Sequence, residues 1–220
     1  MTPELDLKDT AFSFTKHGHT LASAIAYAEL GKVMKNDASI WTGLGASLAR
    51  GAGTFNRERF LKEGAASLMR GLEIGQGTPF ASPCRNWLEV ISEEVDLSEV
   101  GPIKDDALEP LIVFLDIVPE AFADAVRAVP EDEQGRAIRA LGDSGNPRFL
   151  GALLAAVRGE FGDMRTREAL KRLGKFGDRP EIREALAALA TDARASDFQP
   201  YLGAALQAVN PEWAAQFGEI

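Results

Sequence analysis

The chain has 220 residues, of which 45% are apolar and 26% are charged, with a net charge of −9 at pH 7. This composition is typical of one globular domain or two small ones, and it excludes collagen-like, disulfide-rich and disordered chains. The acidic balance argues against nucleic-acid binding, which draws most of its affinity from clustered Lys and Arg. The single cysteine, Cys84, has no Cys or His neighbour for a metal cluster and is expected to be a small buried residue.

Apolar residues recur at three- and four-residue spacings along the chain, whereas alternating β-branched runs are rare. The pattern predicts an all-α protein with no signal peptide or membrane span, located in the cytoplasm. The helices predicted in the first half are 19–34, 38–51, 57–74 and 85–95. The pair Asn36-Asp37 is expected to end the first of these helices and to supply the N-cap of the second.

An acidic segment, residues 89–109, contains one basic residue, Lys104, and the helix-breaking pair Gly101-Pro102. It marks the best domain boundary, which separates a helical N-terminal region, 1–100, from a C-terminal region, 101–220. The segment is short and contains apolar residues that could pack. We therefore interpret it as a turn within one continuous stack of helices rather than as a hinge.

A short pattern of leucine, polar turn and proline recurs in the second half. It reads LGDSGNPRF at 141–149, LGKFGDRPEI at 173–182 and LQAVNPEW at 206–213, with the leucines 32 and 33 residues apart. A weaker copy, IVPEAF, lies at 117–122. Each copy is expected to end one amphipathic helix at a glycine and to begin the next with proline in its first turn. One helical hairpin cannot bury its apolar face alone, so successive hairpins should stack.

This pattern resembles bacterial HEAT-like repeats, and the resemblance covers roughly residues 105–220. It implies a right-handed solenoid of helical hairpins, an α-α superhelix of the armadillo type. In the first half, WTGLGASL at 41–48 resembles a tetratricopeptide unit, although Leu48 stands in place of that family's tyrosine and the insert 51–56 lengthens the turn. Armadillo-type packing describes this half equally well. The other positions that match the tetratricopeptide unit are Ser23, Tyr27, Ala65 and Met69.

The HEAT-like resemblance implies a binding surface, because the second helices of such repeats line the concave side of the stack. Their residues outside the core are the default contacts with a partner. This predicts a partner-binding set of Asp124, Arg127, Arg148, Arg158, Arg183, Glu184 and Trp213. For Trp213 the alternative is that it caps the end of the stack.

A second predicted surface lies on the helix from 163 to 174, where Arg165 and Arg172 share a face at helical spacing with Glu168. This face could meet an acidic partner. The alternative is a solvated outer face, partly neutralised by Glu168 and Asp178.

Two motifs that suggest chemistry are better explained by structure. GDSGNP at 142–147 differs by one residue from the nucleophile motif of chymotrypsin-like proteases, but its glycines and proline recur in the next repeat, where Phe176 replaces Ser144. We interpret it as a repeat turn. His17 and His19 could supply two metal ligands, yet a solvated turn before a helix is the better interpretation.

Together these patterns favour a non-enzymatic protein-protein interaction or scaffold module that binds a protein or peptide. They imply no cofactor, nucleic acid or membrane as a ligand, and the open ends of a solenoid would leave apolar surface for self-association. The alternative is a HEAT-like enzyme, such as a bilin lyase-like or isomerase-like protein. A HEAT-like base glycosylase is disfavoured by the acidic balance.

Overall fold

The computed structural model describes residues 2–53, 56–115, 118 and 120–217. Over these ranges the chain forms thirteen α-helices and short 3-10 helices without any strand, so the all-α prediction is confirmed. In the same ranges, no helix combines the length and apolar character needed to cross a bilayer. The chain divides into two compact units: the N-terminal unit, Lys8–Ile117, and the C-terminal unit, Val118–Ile220 with Met1–Leu7.

The N-terminal unit contains six helices, counting α1, which begins in the other unit. The prediction of helices at 38–51 and 57–74 is confirmed to the residue, and Asp37 caps the first of them by accepting a hydrogen bond from the Ser39 N–H at 2.9 Å. The helix predicted at 85–95 begins and ends earlier, and α1 was not predicted. The helices are α1 (Pro3–Lys16), α2 (Thr20–Val33), α3 (Ala38–Gly51), α4 (Arg57–Ile74), α5 (Ala81–Ser92) and α6 (Leu108–Leu115).

Small residues bring α2, α3 and α4 into close contact. A Cβ atom on Gly43 would lie 2.4 Å from the Tyr27 ring, and one on Gly45 would lie 2.7 Å from the backbone oxygen of Gly64. The glycines of the 41–48 segment are therefore required by helix packing. Cys84 is fully buried with its Sγ atom 3.1 Å from the Thr42 hydroxyl, as predicted for a structural cysteine, and burial raises the pKa of its thiol.

The acidic segment 89–109 packs within the N-terminal unit. Leu97 and Val100 lie against the cluster around Leu61 and Leu68, and the Ile103 N–H donates to the Ala66 carbonyl at 2.9 Å. Residues 101–117, grouped by the sequence with the C-terminal region, belong to this unit. The domain boundary and the continuity of the stack stay predictions.

In the C-terminal unit, helices pack against the helix two positions further along. Thus α7 contacts α9 and α9 contacts α11, while α8 contacts α10 and α10 contacts α12. Phe149, Leu153, Ile182 and Leu186 are fully buried between these helices. The helices are α7 (Glu120–Ala128), α8 (Glu131–Ser144), α9 (Leu150–Val157), α10 (Asp163–Leu170), α11 (Pro180–Thr191), α12 (Ala195–Val209) and α13 (Pro211–Ala214).

The turns between these helices follow the repeated pattern with one correction. Prolines 147, 180 and 211 stand in the first turn of the segment that follows, as predicted. Gly142, expected to stop its helix, lies inside α8, and the helix ends at Gly145 with a φ of +64°. Gly142 is needed for close approach instead, because a Cβ there would lie 2.6 Å from the Arg172 side chain. In the early copy at 117–122, positions 117 and 119, the latter its proline, lie outside the described residues.

Polar side-chain contacts within this unit recur at the same sequence separation as the pattern. Lys175 donates to Asp143 at 2.6 Å and Asn210 donates to Asp178 at 2.6 Å, each pair 32 residues apart. Arg127 donates to Glu160 at 2.7 Å across a separation of 33 residues. Each of these contacts therefore joins residues that lie about one repeat apart in the sequence.

Candidate functional site

A groove of about 550 Å³ lies between α7, α9 and the start of α11 in the C-terminal unit. Its floor is the face of α9, where Leu150 and Leu154 leave only 4% and 7% of their surface exposed. Gly151 and Ala155 complete this floor and add little bulk. The rim is charged and consists of Glu120, Asp124, Arg127, Arg158, Glu160, Arg179 and Glu181.

The sequence of α9, LGALLAAV, explains its place in the floor. A helix that is apolar on all sides is stable only when it is covered, and α9 is packed by both α7 and α11. The helix ends at Arg158 and the chain turns at Gly159, whose φ is +88°. This turn places Arg158 and Glu160 on the rim of the groove. A larger residue than Gly159 would be strained there and would also meet the Arg194 guanidinium.

One arginine of the rim is held by two carboxylates. Arg127 donates to Asp124 at 2.5 Å and to Glu160 at 2.7 Å, and hydrogen bonds to these two groups raise the pKa of the guanidinium. Its charge is therefore already compensated. This cluster fixes the wall between α7 and the end of α9.

Other charges of the rim are left for a ligand. Within the described ranges Arg158 is exposed and makes no ion pair, and the same holds for Glu120. Arg179 donates to the Phe176 carbonyl at 3.0 Å and lies 3.9 Å from the Glu181 carboxylate, which is a weak contact. The groove thus combines an aliphatic floor with an unpartnered arginine, an arrangement that suits an aliphatic side chain next to a carboxylate.

The structure brings three of the predicted site residues, Asp124, Arg127 and Arg158, into this groove. Arg148 follows the lining residue Pro147 and is half-buried, and Glu184 is exposed on α11. Partner binding by all of the predicted residues stays a prediction.

The arginines of the predicted basic face of α10 make most of their contacts with other residues of the C-terminal unit. Arg165 donates to the backbone carbonyl of Glu131 on α8. Arg172 contacts Glu168 at 2.9 Å and Asp143 at 3.2 Å. Both arginine side chains are about one-sixth exposed, at 16% and 15%, because they bridge α10 and the residues after it to α8.

The remaining predicted residues lie at the end of the chain. Arg183 forms an ion pair with Asp178 and lies 5.6 Å from the centre of the Trp213 ring. Trp213 meets Phe217 edge to face at 4.9 Å. Hydrogen bonds from Arg183 and Asn210 lower the pKa of Asp178 to about 2.

Sequence reasoning missed Glu120, Glu160, Arg179 and Glu181 as residues of the groove. A usable signal existed for Glu160, because it follows Arg127 by 33 residues, which is the repeat spacing.

The two motifs that suggested chemistry have structural roles. The Ser144 hydroxyl donates to the Leu141 carbonyl at the end of α8 and accepts from the Asn146 N–H, as expected for a repeat turn. His17 and His19 flank Gly18 in the turn before α2, with the Nδ1 atom of His17 2.9 Å from the Ser13 carbonyl. Over the part of the chain that the structure describes, no three His, Cys, Asp or Glu side chains are grouped to hold a metal ion.

Comparison with protein-family models, curated proteins and solved structures finds no match to this chain. The HEAT-like and tetratricopeptide resemblances accordingly stay predictions. Function has to be argued from the groove itself.

Proposed function

We propose that this chain is a non-enzymatic, cytoplasmic protein-protein interaction module whose C-terminal unit is a right-handed HEAT-like solenoid. Three features support the solenoid: packing of helices two positions apart, contacts separated by 32 or 33 residues, and a proline in the first turn of three segments. In such a stack α7, α9 and α11 are second helices, and their shared surface is the concave side.

The groove is the proposed binding site. The groove binds a short peptide segment of a partner protein, with an aliphatic side chain of the peptide against Leu150 and Leu154 and a carboxylate of the peptide on Arg158. Covering the aliphatic floor contributes roughly 25 cal/mol for each Å² of apolar surface removed from water. The charge-assisted hydrogen bond to Arg158 adds selectivity for an acidic position, because that guanidinium makes no ion pair within the described ranges, although carboxylates such as Glu120 also line the groove.

Selection from a random peptide-display library tests this function without knowledge of the natural partner. The intact chain should enrich peptides that combine an aliphatic with an acidic position. Arg158→Glu should weaken binding of an enriched peptide by about tenfold or more, since it places like charges together. Fluorescence anisotropy measures this affinity.

Arg85→Glu is the matched control, because Arg85 is an exposed arginine of α5 in the N-terminal unit and undergoes the same charge change. It should leave the affinity within about twofold. Enrichment of peptides that bind equally well to the Arg158→Glu variant would overturn the groove as the binding site, and failure to enrich any sequence would overturn the module itself.

A further inference from the structure

A second surface of the C-terminal unit gathers cations around an aromatic ring. Arg167 and Lys171, one turn apart on α10 and just beyond it, face Tyr201 of α12, with the Arg167 guanidinium carbon 5.9 Å and the Lys171 ammonium 5.2 Å from the ring centre. We call Arg167, Lys171 and Tyr201 the cationic surface. It is formed by α10, the residue that follows it and α12, whereas the groove is formed by α7, α9 and α11.

Positive charge on this surface exceeds the carboxylates that face it. Glu168 is the shared partner of Lys171 and Arg172, with both contacts at 2.9 Å. Arg167 makes no ion pair in the described ranges. The buried Nε atom of Arg167 also lacks a hydrogen-bond partner among those residues.

A carboxylate that could offset this excess lies on α12 itself. Asp197 stands one turn before Tyr201 and is exposed, but its charge acts on Arg194, which also contacts Asp192 at 3.0 Å. The cationic surface therefore keeps a net positive charge in a chain whose net charge is −9. A positive surface on a chain that is negative overall attracts an anionic ligand to that surface.

We propose that the cationic surface binds an acidic peptide segment of a partner protein, with carboxylates on Arg167 and Lys171 and aliphatic atoms against the Tyr201 ring. Charge complementarity and the small size of the surface favour a few carboxylates over a long polyanion. A nucleic acid would meet repulsion from the rest of an acidic chain, since its affinity grows with the number of phosphates neutralised. An arginine and a lysine beside a ring offer hydrogen bonds to carboxylates and an apolar contact together.

A fluorescein-labelled octaglutamate peptide is the probe, with an octaglutamine peptide of the same length as the uncharged control. The intact chain should bind octaglutamate more weakly as salt rises and should not bind octaglutamine. Lys171→Gln should weaken binding about fivefold, and Arg167→Gln with Lys171→Gln by more than about tenfold. Lys171 is exposed, so the single variant keeps the test valid if the double variant unfolds, and circular dichroism checks both.

Arg85→Gln is the matched control and should leave octaglutamate binding unchanged. Loss of binding in Arg158→Glu alone would place the peptide in the groove and overturn the second site. Equal binding by the Lys171→Gln variant would also overturn it. Tighter binding of octathymidylate than of octaglutamate, lost in the same variant, would replace the acidic peptide by a nucleic acid.

Discussion

The two units use their polar and small residues in different ways. In the N-terminal unit these residues lie inside: glycines of α3 allow close helix contact, and the hydroxyl of Ser23 lies 3.1 Å from that of Ser47 and donates to the Ala11 carbonyl at 2.6 Å. In the C-terminal unit the charged residues line a groove and a second surface, and several of them have no carboxylate partner in the described ranges.

This difference suggests a division of roles. Backbone approach at Gly45 leaves no room for a side chain, so the packing of α3 against α4 is specified tightly. The C-terminal unit also packs buried aromatic and aliphatic side chains between its helices, and ion pairs such as Arg127 with Glu160 join its segments. Arg158 stays exposed without an ion pair in the described ranges. Substitutions in each unit can test whether the two kinds of packing respond differently.

The largest expected effect is loss of the aromatic core in the C-terminal unit. Phe149 and Phe122 are fully buried and meet edge to face, with ring centres 4.8 Å apart. Phe149→Ala should lower the free energy of unfolding by about 3–5 kcal/mol, because it removes buried surface and leaves a cavity. Urea unfolding measures this, with exposed Phe12→Ala as the control, which should cost far less. A cost under about 1 kcal/mol for Phe149→Ala would show that the contact is not part of a packed core.

A smaller effect is expected from one added methyl group in the N-terminal unit. In Gly45→Ala the new Cβ would lie 2.7 Å from the backbone oxygen of Gly64, which cannot rotate away. The variant should lose roughly 1–3 kcal/mol of stability through overpacking, despite alanine's better helix propensity. At Gly53 a Cβ would meet nothing within 4 Å, so Gly53→Ala is the matched control. A stabilised Gly45→Ala variant would contradict the close approach of α3 and α4.

The smallest effect concerns the ion pair near the end of the chain. Arg183 and Asn210 lower the pKa of Asp178 from 3.8 to about 2, so the folded state binds this proton less readily than the unfolded state. The resulting stabilisation is present above pH 3.8 and is lost as the pH falls through about 2. Carbon-detected NMR titration should show the pKa of Asp178 returning toward 3.8 in Arg183→Gln. An unchanged pKa in that variant would show that the pairing is absent in solution, and Arg85→Gln is the control.

Local signals in the sequence were enough to predict helices at the positions of α2, α3, α4 and α5. Asp37 caps the start of α3, and the bounds predicted for α3 and α4 match the structure. The sequence of α1 contains an apolar stripe of Leu7, Ala11 and Phe14. The acidic residues among the first ten made this stripe hard to recognise as a helix. The role of Gly142 could not be deduced, because it depends on Arg172 from the following segment.

The site was harder to predict than the helices. The repeat pattern pointed to second helices and so to Arg127 and Arg158, which line the groove. It could not show that Arg165 and Arg172 turn inward to α8, because a helical face does not reveal which neighbour covers it. Arg179 was missed because it belongs to a turn whose direction only the folded chain defines.

Binding of a peptide in the groove of the C-terminal unit can be mapped by NMR with an enriched peptide. We expect the amide resonances of Leu150, Gly151 and Leu154 to shift on addition of the peptide, together with those of α7 and the first turn of α11. Amide resonances of the N-terminal unit should not shift. Shifts confined to α2, α3 and α4, with the groove unaffected, would show that the peptide does not bind in the groove.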